Sequence, residues 1–221
     1  CGTQTAGLAA GGAAPVTSNS EEYNGTAWSE GNNLGTARSD FAFQFGIQTA
    51  AVAAGGYIST ASALNEEYDG TSWSEVNNIP TGTFQGGGLG TQTAGLGFGG
   101  YTTATVADSF SYDGTNWTAS SDLNLARRVR ITNFGASADS GYVYGGITPA
   151  GNRQTTGSEW NGSSWTAAPA STSIGKQNSN GGGAASSTAG WAAAGNVAPN
   201  NVASTTEEFN QSTNTITAAA W

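Results

Sequence analysis

Short apolar stretches of this chain end in pairs of glycines, and the arrangement recurs five times. Each stretch is followed by a variable segment, an acidic–aromatic pair and a tight turn, with a tryptophan after the turn in most copies. The glycine positions are Gly11-Gly12, Gly55-Gly56, Gly99-Gly100, Gly145-Gly146 and, as the fifth copy, Gly195-Asn196. The aromatic residues before the turns are Tyr23, Tyr68, Tyr112, Trp160 and Phe209, at steps of 45, 44, 48 and 49 residues. A constant period of this size indicates a propeller, a solenoid or an array.

The second copy shows how one repeat divides into four short strands. Phe41–Phe45 alternates aromatic with small or polar residues, as a half-buried strand does. Ala50–Ala54 predicts a short buried strand, while Leu64–Tyr68 and Trp73–Val76 predict a hairpin around Asp69-Gly70. The flanking glycine pairs and threonines disfavour a helix in the alanine run. Four short antiparallel strands in each repeat are typical of a propeller blade.

Counting these strands gives an all-β, five-bladed β-propeller with four-stranded antiparallel blades. First strands are predicted at Phe41–Phe45, Thr83–Leu89, Val129–Phe134 and Gln177–Ala184, whereas the first repeat begins at its second strand. The first blade is therefore expected to lack its innermost strand in this chain. We predict a single domain over 1–221, with approximate repeats 1–40, 41–82, 83–127, 128–175 and 176–221. Because Cys1–Gly7 resembles the repeat interior Gly90–Gly95, the chain is expected to be part of a longer polypeptide.

Composition narrows the range of partners. The formal net charge of −9 disfavours binding to the phosphate backbone of nucleic acids. No apolar run approaches the ~20 residues of a membrane-spanning helix. Histidine is absent and Cys1 is the single cysteine, which excludes histidine-dependent catalytic triads and zinc sites of the usual Cys/His kind. We expect no metal and no cofactor.

The carboxylates do not predict a catalytic site. The pairs Glu21-Glu22, Glu66-Glu67 and Glu207-Glu208 recur with the repeat, and adjacent residues of a strand point to opposite faces. A structural role is therefore expected, with one glutamate of a pair bound to a neighbouring arginine or backbone amide. Asp108 and Asp139 are not repeated, but neither has an evident partner acid. No catalytic residue is predicted.

The repeat resembles the kelch repeat, which has a basic residue before the first strand, a glycine pair after the second, a glutamate near the aromatic residue of the third, and a tryptophan. The basic position is filled by Arg38, by Arg127 or Arg128 and by Lys176, and Gly82 is expected in the third repeat. The glutamates are Glu22, Glu67, Glu159 and Glu208, with Ser111 as the exception, and the tryptophans are Trp28, Trp73, Trp117 and Trp165. The resemblance implies the propeller fold and no particular function.

A narrower resemblance concerns the amino-acid sequence of two repeat segments. The segments Tyr68–Asn78 and Gly90–Gly100 look like kelch-like arrays in virion proteins of marine bacteriophages, cyanophages included. This resemblance implies that the protein lies on the virion surface, in a tail fibre, spike or capsid appendage. An extracellular location is the other possibility that it implies. The partners expected from it are host-surface glycans or neighbouring virion proteins, and an oligomer is compatible with such a setting.

Candidate binding residues lie in the loops between second and third strands, which vary while the turns at the other end stay nearly constant. These loops share one face with the connections between blades. On that face Tyr57, Tyr101 and Arg153 are suited to stacking on sugars or to hydrogen bonding. The expected function is thus a non-enzymatic binding or structural module. Two alternatives stay open: a bacterial extracellular lectin or adhesin with equivalent sites in several blades, and a carbohydrate-active propeller enzyme with convergent acids.

Overall fold

The protein is a five-bladed β-propeller in a computed structural model that describes residues 1–128, 132–177, 180–182, 189–197 and 201–218. Five sheets, each of four antiparallel strands in sequence order, form the blades. The polypeptide runs from the inner strand of each blade to its outer strand and then crosses to the next blade. Within the described ranges, no helix has the length and apolar character needed to cross a membrane.

The blades divide the strands evenly. The first contains β1 (Gly2–Thr3), β2 (Ala6–Gly12), β3 (Thr17–Tyr23) and β4 (Trp28–Glu30), and the second contains β5 (Phe43–Ile47), β6 (Ala50–Ala54), β7 (Asn65–Tyr68) and β8 (Trp73–Val76). The third contains β9 (Gly87–Thr91), β10 (Ala94–Tyr101), β11 (Thr105–Tyr112) and β12 (Trp117–Ala119), and the fourth contains β13 (Thr132–Ser137), β14 (Ser140–Tyr144), β15 (Thr156–Trp160) and β16 (Trp165–Ser171). The fifth contains β17 (Asn180–Gly182), β18 (Ala189–Ala193), β21 (Thr206–Asn210) and β22 (Thr215–Ala218), with a hairpin of β19 (Asn196–Val197) and β20 (Asn201–Val202) in its loop.

The predicted fold class is confirmed, and the inner strands show where the boundaries differ. The innermost strand of the first blade has only two residues, Gly2 and Thr3. In the second and third blades the inner strand begins later than predicted, at Phe43 and Gly87. The reason is a bend in which Asp40 and Gln85 adopt positive φ angles of 47° and 57°. The predicted first strands of the last two blades are described only in part, because residues 129–131, 178–179 and 183–184 lie outside the described part of the chain.

The glycine pairs connect each blade to the next. Their first members, Gly11, Gly55, Gly99 and Gly145, have φ angles between 64° and 76°, a region that favours glycine. The backbone N–H of the second glycine donates to the carbonyl of the residue that enters the following blade. These bonds join Gly12 to Arg38, Gly56 to Thr83, Gly100 to Arg127 and Gly146 to Lys176, at 2.8–3.0 Å. They place Thr83, and not Gly82 as predicted, at the basic position of the third repeat.

The basic side chains turn inward and are buried within their own blades. The Arg38 guanidinium donates to the carbonyl of Leu64 at 2.7 Å and to Glu66 Oε1 at 2.7 Å. The other oxygen of Glu66 accepts the backbone N–H of Gly35 at 2.7 Å. In the fifth blade Lys176 pairs with Glu207 at 2.9 Å, and Ser173 donates its backbone N–H to the same carboxylate. In the pairs Glu66-Glu67 and Glu207-Glu208, one glutamate therefore has the structural role that the sequence predicts.

Each of the first four blades packs against the following blade through two sheet faces, which we name by chain order. The outgoing face is directed toward the following blade, and the incoming face toward the preceding one. Outgoing faces carry a buried side chain on the second strand, and incoming faces carry the aromatic pair of the third and fourth strands. Leu8 packs on Tyr68 and Trp73, Val52 on Tyr112 and Trp117, Leu96 on Trp160 and Trp165, and Tyr142 on Phe209 and Ile216.

Polar contacts align the same junctions. The Tyr68 hydroxyl donates to Glu22, and the Tyr112 hydroxyl donates to Glu67 at 2.7 Å. Burial, together with the hydrogen bond to Glu22, raises the pKa of Tyr68 to about 12. Indole nitrogens reach back in the same direction, from Trp73 to Ser20 Oγ at 2.8 Å and from Trp165 to Ser109 Oγ at 3.2 Å. Trp73 and Trp165 thus lie as wedges between neighbouring blades.

Candidate binding site on the loop face

The face that carries the variable loops is organised by backbone bridges just outside the inner strands. The residue that follows the basic position pairs with the residue that follows the glycine pair. In the fifth blade the positions of the pair are held by Ala194 and Gly195, with φ angles of 55° and 107°, and not by Gly195 and Asn196 as predicted, so that Asn196 follows the pair. The bridges join Ser39 to Tyr57, Phe84 to Tyr101, Arg128 to Ile147 and Gln177 to Asn196. Since each bridge lies beside the connection to a neighbouring blade, these residues form a curved row on one end of the propeller. We call this end the loop face.

Three aromatic rings and one guanidinium are in contact along this row, with interplanar angles of 52° between Tyr57 and Phe84 and 63° between Phe84 and Tyr101. The Tyr57 and Phe84 ring centroids are 5.2 Å apart, and those of Phe84 and Tyr101 are 5.3 Å apart. The Arg128 guanidinium carbon lies 4.7 Å from the centroid of the Tyr101 ring, within range of a cation–π interaction. We call Tyr57, Phe84, Tyr101 and Arg128 the aromatic row. Its members come from the second, third and fourth repeats, so the row spans two blade boundaries.

Of the three residues predicted for binding, the structure brings two directly into the row. Tyr57 lies at one end and is 37% exposed, while Tyr101 lies between Phe84 and Arg128 and is half-buried. Arg153 lies beyond the row, where its backbone pairs with Ile147, which itself pairs with Arg128. All three predicted residues therefore occupy the loop face.

Phe84 is not among the candidate binding residues predicted from the sequence, and Arg128 is predicted only as an alternative for the basic position. A usable signal was present, because both residues directly follow a basic-position residue, Thr83 or Arg127. The misplacement of that position at Gly82 concealed the equivalence of Phe84 with Arg128. Residue spacing alone also does not predict the ring contact between repeats, because Tyr57 and Phe84 are 27 residues apart in the sequence.

Further apolar side chains are exposed on the same face. Ile58 lies next to Tyr57 and is 41% exposed, and Val16 lies in the corresponding loop of the first blade. Ile174 lies in the connection that enters the fifth blade, and Val202 lies in the β19–β20 hairpin. Together with Tyr57, they make up five of the eight large hydrophobic residues that are exposed among the described residues.

The candidate acids occupy different surroundings. Glu66 and Glu207 are buried in ion pairs, while Glu22 and Glu67 accept tyrosine hydroxyls between blades. Asp139 lies in the turn between the first two strands of the fourth blade, at the opposite end from the loop face, and Asp108 lies within β11. In the part of the chain that the structure describes, no group of three or more acidic or cysteine side chains could hold a metal ion.

A recess lies near the centre of the propeller, at the inner strands. It has a volume of about 350 Å³ and is lined by Asp40, Phe41, Gln44, Asn133 and the glycines Gly86–Gly88, with Ala10, Gly12 and Ala42. The inner strands approach closely here, since a Cβ on Gly88 would lie 2.8 Å from the Phe45 ring. The recess is separate from the aromatic row and offers few apolar groups to a ligand.

The fold and the row together define the protein as a five-bladed β-propeller with a row of contacting aromatic side chains on one end. No protein-family model matches the chain, and comparison with curated proteins finds no significant match. The candidate site therefore stands on its own geometry.

Proposed function

We propose that the propeller is a non-enzymatic binding module that holds a carbohydrate against the aromatic row of its loop face. The observation that carries the proposal is the continuous series of ring contacts from Tyr57 through Phe84 to Tyr101, with Arg128 over the Tyr101 ring. The faces of aromatic rings carry partial negative charge and attract the polarised C–H groups of a sugar ring. Arg128 and Arg153 supply hydrogen-bond donors beside the rings.

The composition of the row favours one extended site over five equivalent ones. Among the described bridge positions only Tyr57, Phe84 and Tyr101 are aromatic, and the other positions hold Ser39, Arg128, Ile147, Gln177 and Asn196. A lectin with a site in every blade would require similar side chains at each of these positions. The row therefore supports a stoichiometry of one oligosaccharide per chain, bound across the second to fourth blades.

The setting that we propose is the surface of a bacteriophage virion, in a tail fibre, spike or capsid appendage. This part of the proposal rests on the resemblance of the repeat sequences to kelch-like arrays of marine phages. The bound glycan would then belong to the surface of the bacterial host. A neighbouring virion protein that covers the loop face is the alternative partner in the same setting.

A glycan array followed by titration calorimetry tests the binding proposal. We expect Tyr57→Ala to weaken binding of the selected glycan by at least about tenfold, as the loss of a stacking residue does. Ile47→Ala is the matched control, because Ile47 is 53% exposed and lies at the opposite end of the blade. Loss of binding in both variants, or in neither, would contradict a site on the aromatic row. A stoichiometry of several glycans per chain would favour the lectin with repeated sites.

A further inference from the structure

Two sheet faces of this propeller match each other but are both exposed. Trp28, on the incoming face of the first blade, is 54% exposed, although the equivalent Trp117 and Trp165 are buried. Trp191, on the outgoing face of the fifth blade, is 42% exposed, although the equivalent Leu8, Val52, Leu96 and Tyr142 are buried. The equivalence follows from strand register, because Trp191 pairs with Glu208 as Leu8 pairs with Glu22. An open cleft of about 570 Å³ lies along the Trp191 face.

The exposed incoming face is already arranged like a packed one. The Tyr23 and Trp28 ring centroids are 5.2 Å apart with an interplanar angle of 37°. The corresponding values for Tyr68 and Trp73, which are packed against the first blade, are 5.1 Å and 38°. The aromatic pair of the first blade is thus preorganised for a partner, which lowers the entropic cost of docking.

The two faces also carry complementary polar groups. At the packed junctions, Tyr68 donates to Glu22 and Tyr112 donates to Glu67. The equivalent donor on the exposed incoming face is Tyr23, and the equivalent acceptor on the exposed outgoing face is Glu208. The indoles of Trp73 and Trp165 donate to serine hydroxyls of the preceding blade. The exposed faces carry Trp28 at the position of the donor and Thr206 at the position of the hydroxyl acceptor. Gln48 and Gln92 donate across junctions to the carbonyls of Tyr23 and Tyr68, and Gln4 stands at the same place in the first blade.

We propose that the exposed outgoing face of the fifth blade binds the exposed incoming face of the first blade of a second copy of this chain. The contact continues the junction that already joins the blades within one chain. It buries Trp28 against Trp191 and pairs Tyr23 with Glu208. Because the two partners contribute different faces, the association is head-to-tail and can be propagated. The proposal is independent of carbohydrate binding, since neither face includes the aromatic row.

Sedimentation velocity at increasing protein concentration tests the proposal. All proteins carry Cys1→Ser, because the exposed Cys1 thiol could otherwise link two copies through a disulfide. We expect concentration-dependent dimers and larger species at physiological ionic strength, at which the charge of −9 is largely screened. Trp28→Ala and Trp191→Asp should each weaken association by at least about tenfold. Ile47→Asp, which changes an exposed side chain elsewhere, should leave association unchanged.

Mixing the two variants gives the decisive result. Trp28→Ala retains an intact outgoing face and Trp191→Asp an intact incoming face, so an equimolar mixture should form a one-to-one dimer and nothing larger. Circular dichroism of each variant establishes that it is folded. Monomers at every concentration, or variants that do not complement each other on mixing, would overturn the proposal. In particular, a disulfide formed within one chain of a monomeric Trp28→Cys/Thr206→Cys variant would show that the first blade covers the face itself.

Discussion

At the scale of single residues, the buried basic position varies together with its partners. The second blade combines Arg38 with Glu66, and Gly35 supplies a backbone N–H to that carboxylate. The third blade has Thr83, Phe110 and Pro80 at the three equivalent positions, so the cation, the carboxylate and the N–H donor are all replaced. A buried charge is costly unless it is paired, which explains why the replacements occur together.

The fourth blade is an intermediate case. Arg127 is buried and donates to the carbonyls of Gly145 and Thr156 and to Ser158 Oγ. Ser158 stands where the second blade has Glu66, and Asn124 stands where it has Gly35. Burial lowers the pKa of Arg127 to about 10, because no carboxylate offsets the desolvation of its guanidinium.

Restoring the missing partners should therefore stabilise the fourth blade. We expect the double variant Asn124→Gly/Ser158→Glu to increase the free energy of unfolding by about 1–2 kcal/mol, because it supplies a charge-assisted hydrogen bond to Arg127. Urea denaturation monitored by tryptophan fluorescence measures the change. Ser158→Glu alone is the control and should be destabilising, since the Asn124 side chain occupies the space beside Ser158. Equal effects of the single and double variants would show that the three positions are not coupled.

At the scale of elements, the hairpin between the third and fourth strands is the most regular part of the repeat. The first turn residue caps the turn through its side chain: Asp69 Oδ1 accepts the backbone N–H groups of Thr71 and Ser72, both at 2.8 Å. Asn24, Asp113 and Asn161 make the same pair of bonds. The next residue is glycine with φ between 89° and 91° in all four turns. The fifth turn has Gln211 there, and Asn214 carries the positive φ of 50° instead.

A substitution in one turn tests whether the backbone conformation sets the requirement for glycine. Gly70→Ala should lower the free energy of unfolding by about 1–3 kcal/mol, the usual cost of a strained φ at a residue with a Cβ. Its Cβ would also lie 3.2 Å from Thr49 Cβ. Gly70→Asn is the matched comparison and should cost less, because asparagine tolerates positive φ better than alanine does. If both variants cost the same in thermal denaturation, contact with Thr49 would be the dominant constraint.

At the scale of the whole molecule, stability depends on junctions between blades. The indole of Trp117 lies 5.5 Å from the Phe43 ring and 6.0 Å from the Phe45 ring of the preceding blade. In this way one side chain joins two sheets, and Trp117 is about 70 residues away in sequence from the two phenylalanines that it contacts. The same repeat position in the first blade is Trp28, which is exposed.

The two tryptophans should therefore differ in their contribution to stability. We expect Trp117→Ala to lower the free energy of unfolding by about 3–5 kcal/mol, as large-to-small changes in a core do. Trp28→Ala should cost less than about 1 kcal/mol at concentrations where the chain is monomeric, since it mainly loses contact with Tyr23. Chemical denaturation of both variants at low protein concentration makes the comparison. Similar losses would mean that Trp28 is buried within the monomer in solution.

Sequence predicted much of the candidate site's location but little of its internal geometry. The sequence predicts Tyr57 and Tyr101 on the loop face because they follow glycine pairs and because the alternation of strand direction assigns those loops to one end. Their connection through Phe84 depends on contacts between different blades. Such contacts join residues that are distant in the chain, so no local sequence pattern predicts which two rings are in contact.

The number of blades, the positions of strands such as Ala50–Ala54 and Trp73–Val76, and the turns were determined by the sequence itself. The reason is that positive φ angles, strand alternation and wedge positions are local requirements that recur with each repeat. Only the tertiary structure decided which side chains meet across blades and which faces stay uncovered. Trp28 and Trp117 occupy equivalent repeat positions, yet only packing against a neighbouring sheet makes one of them part of the core.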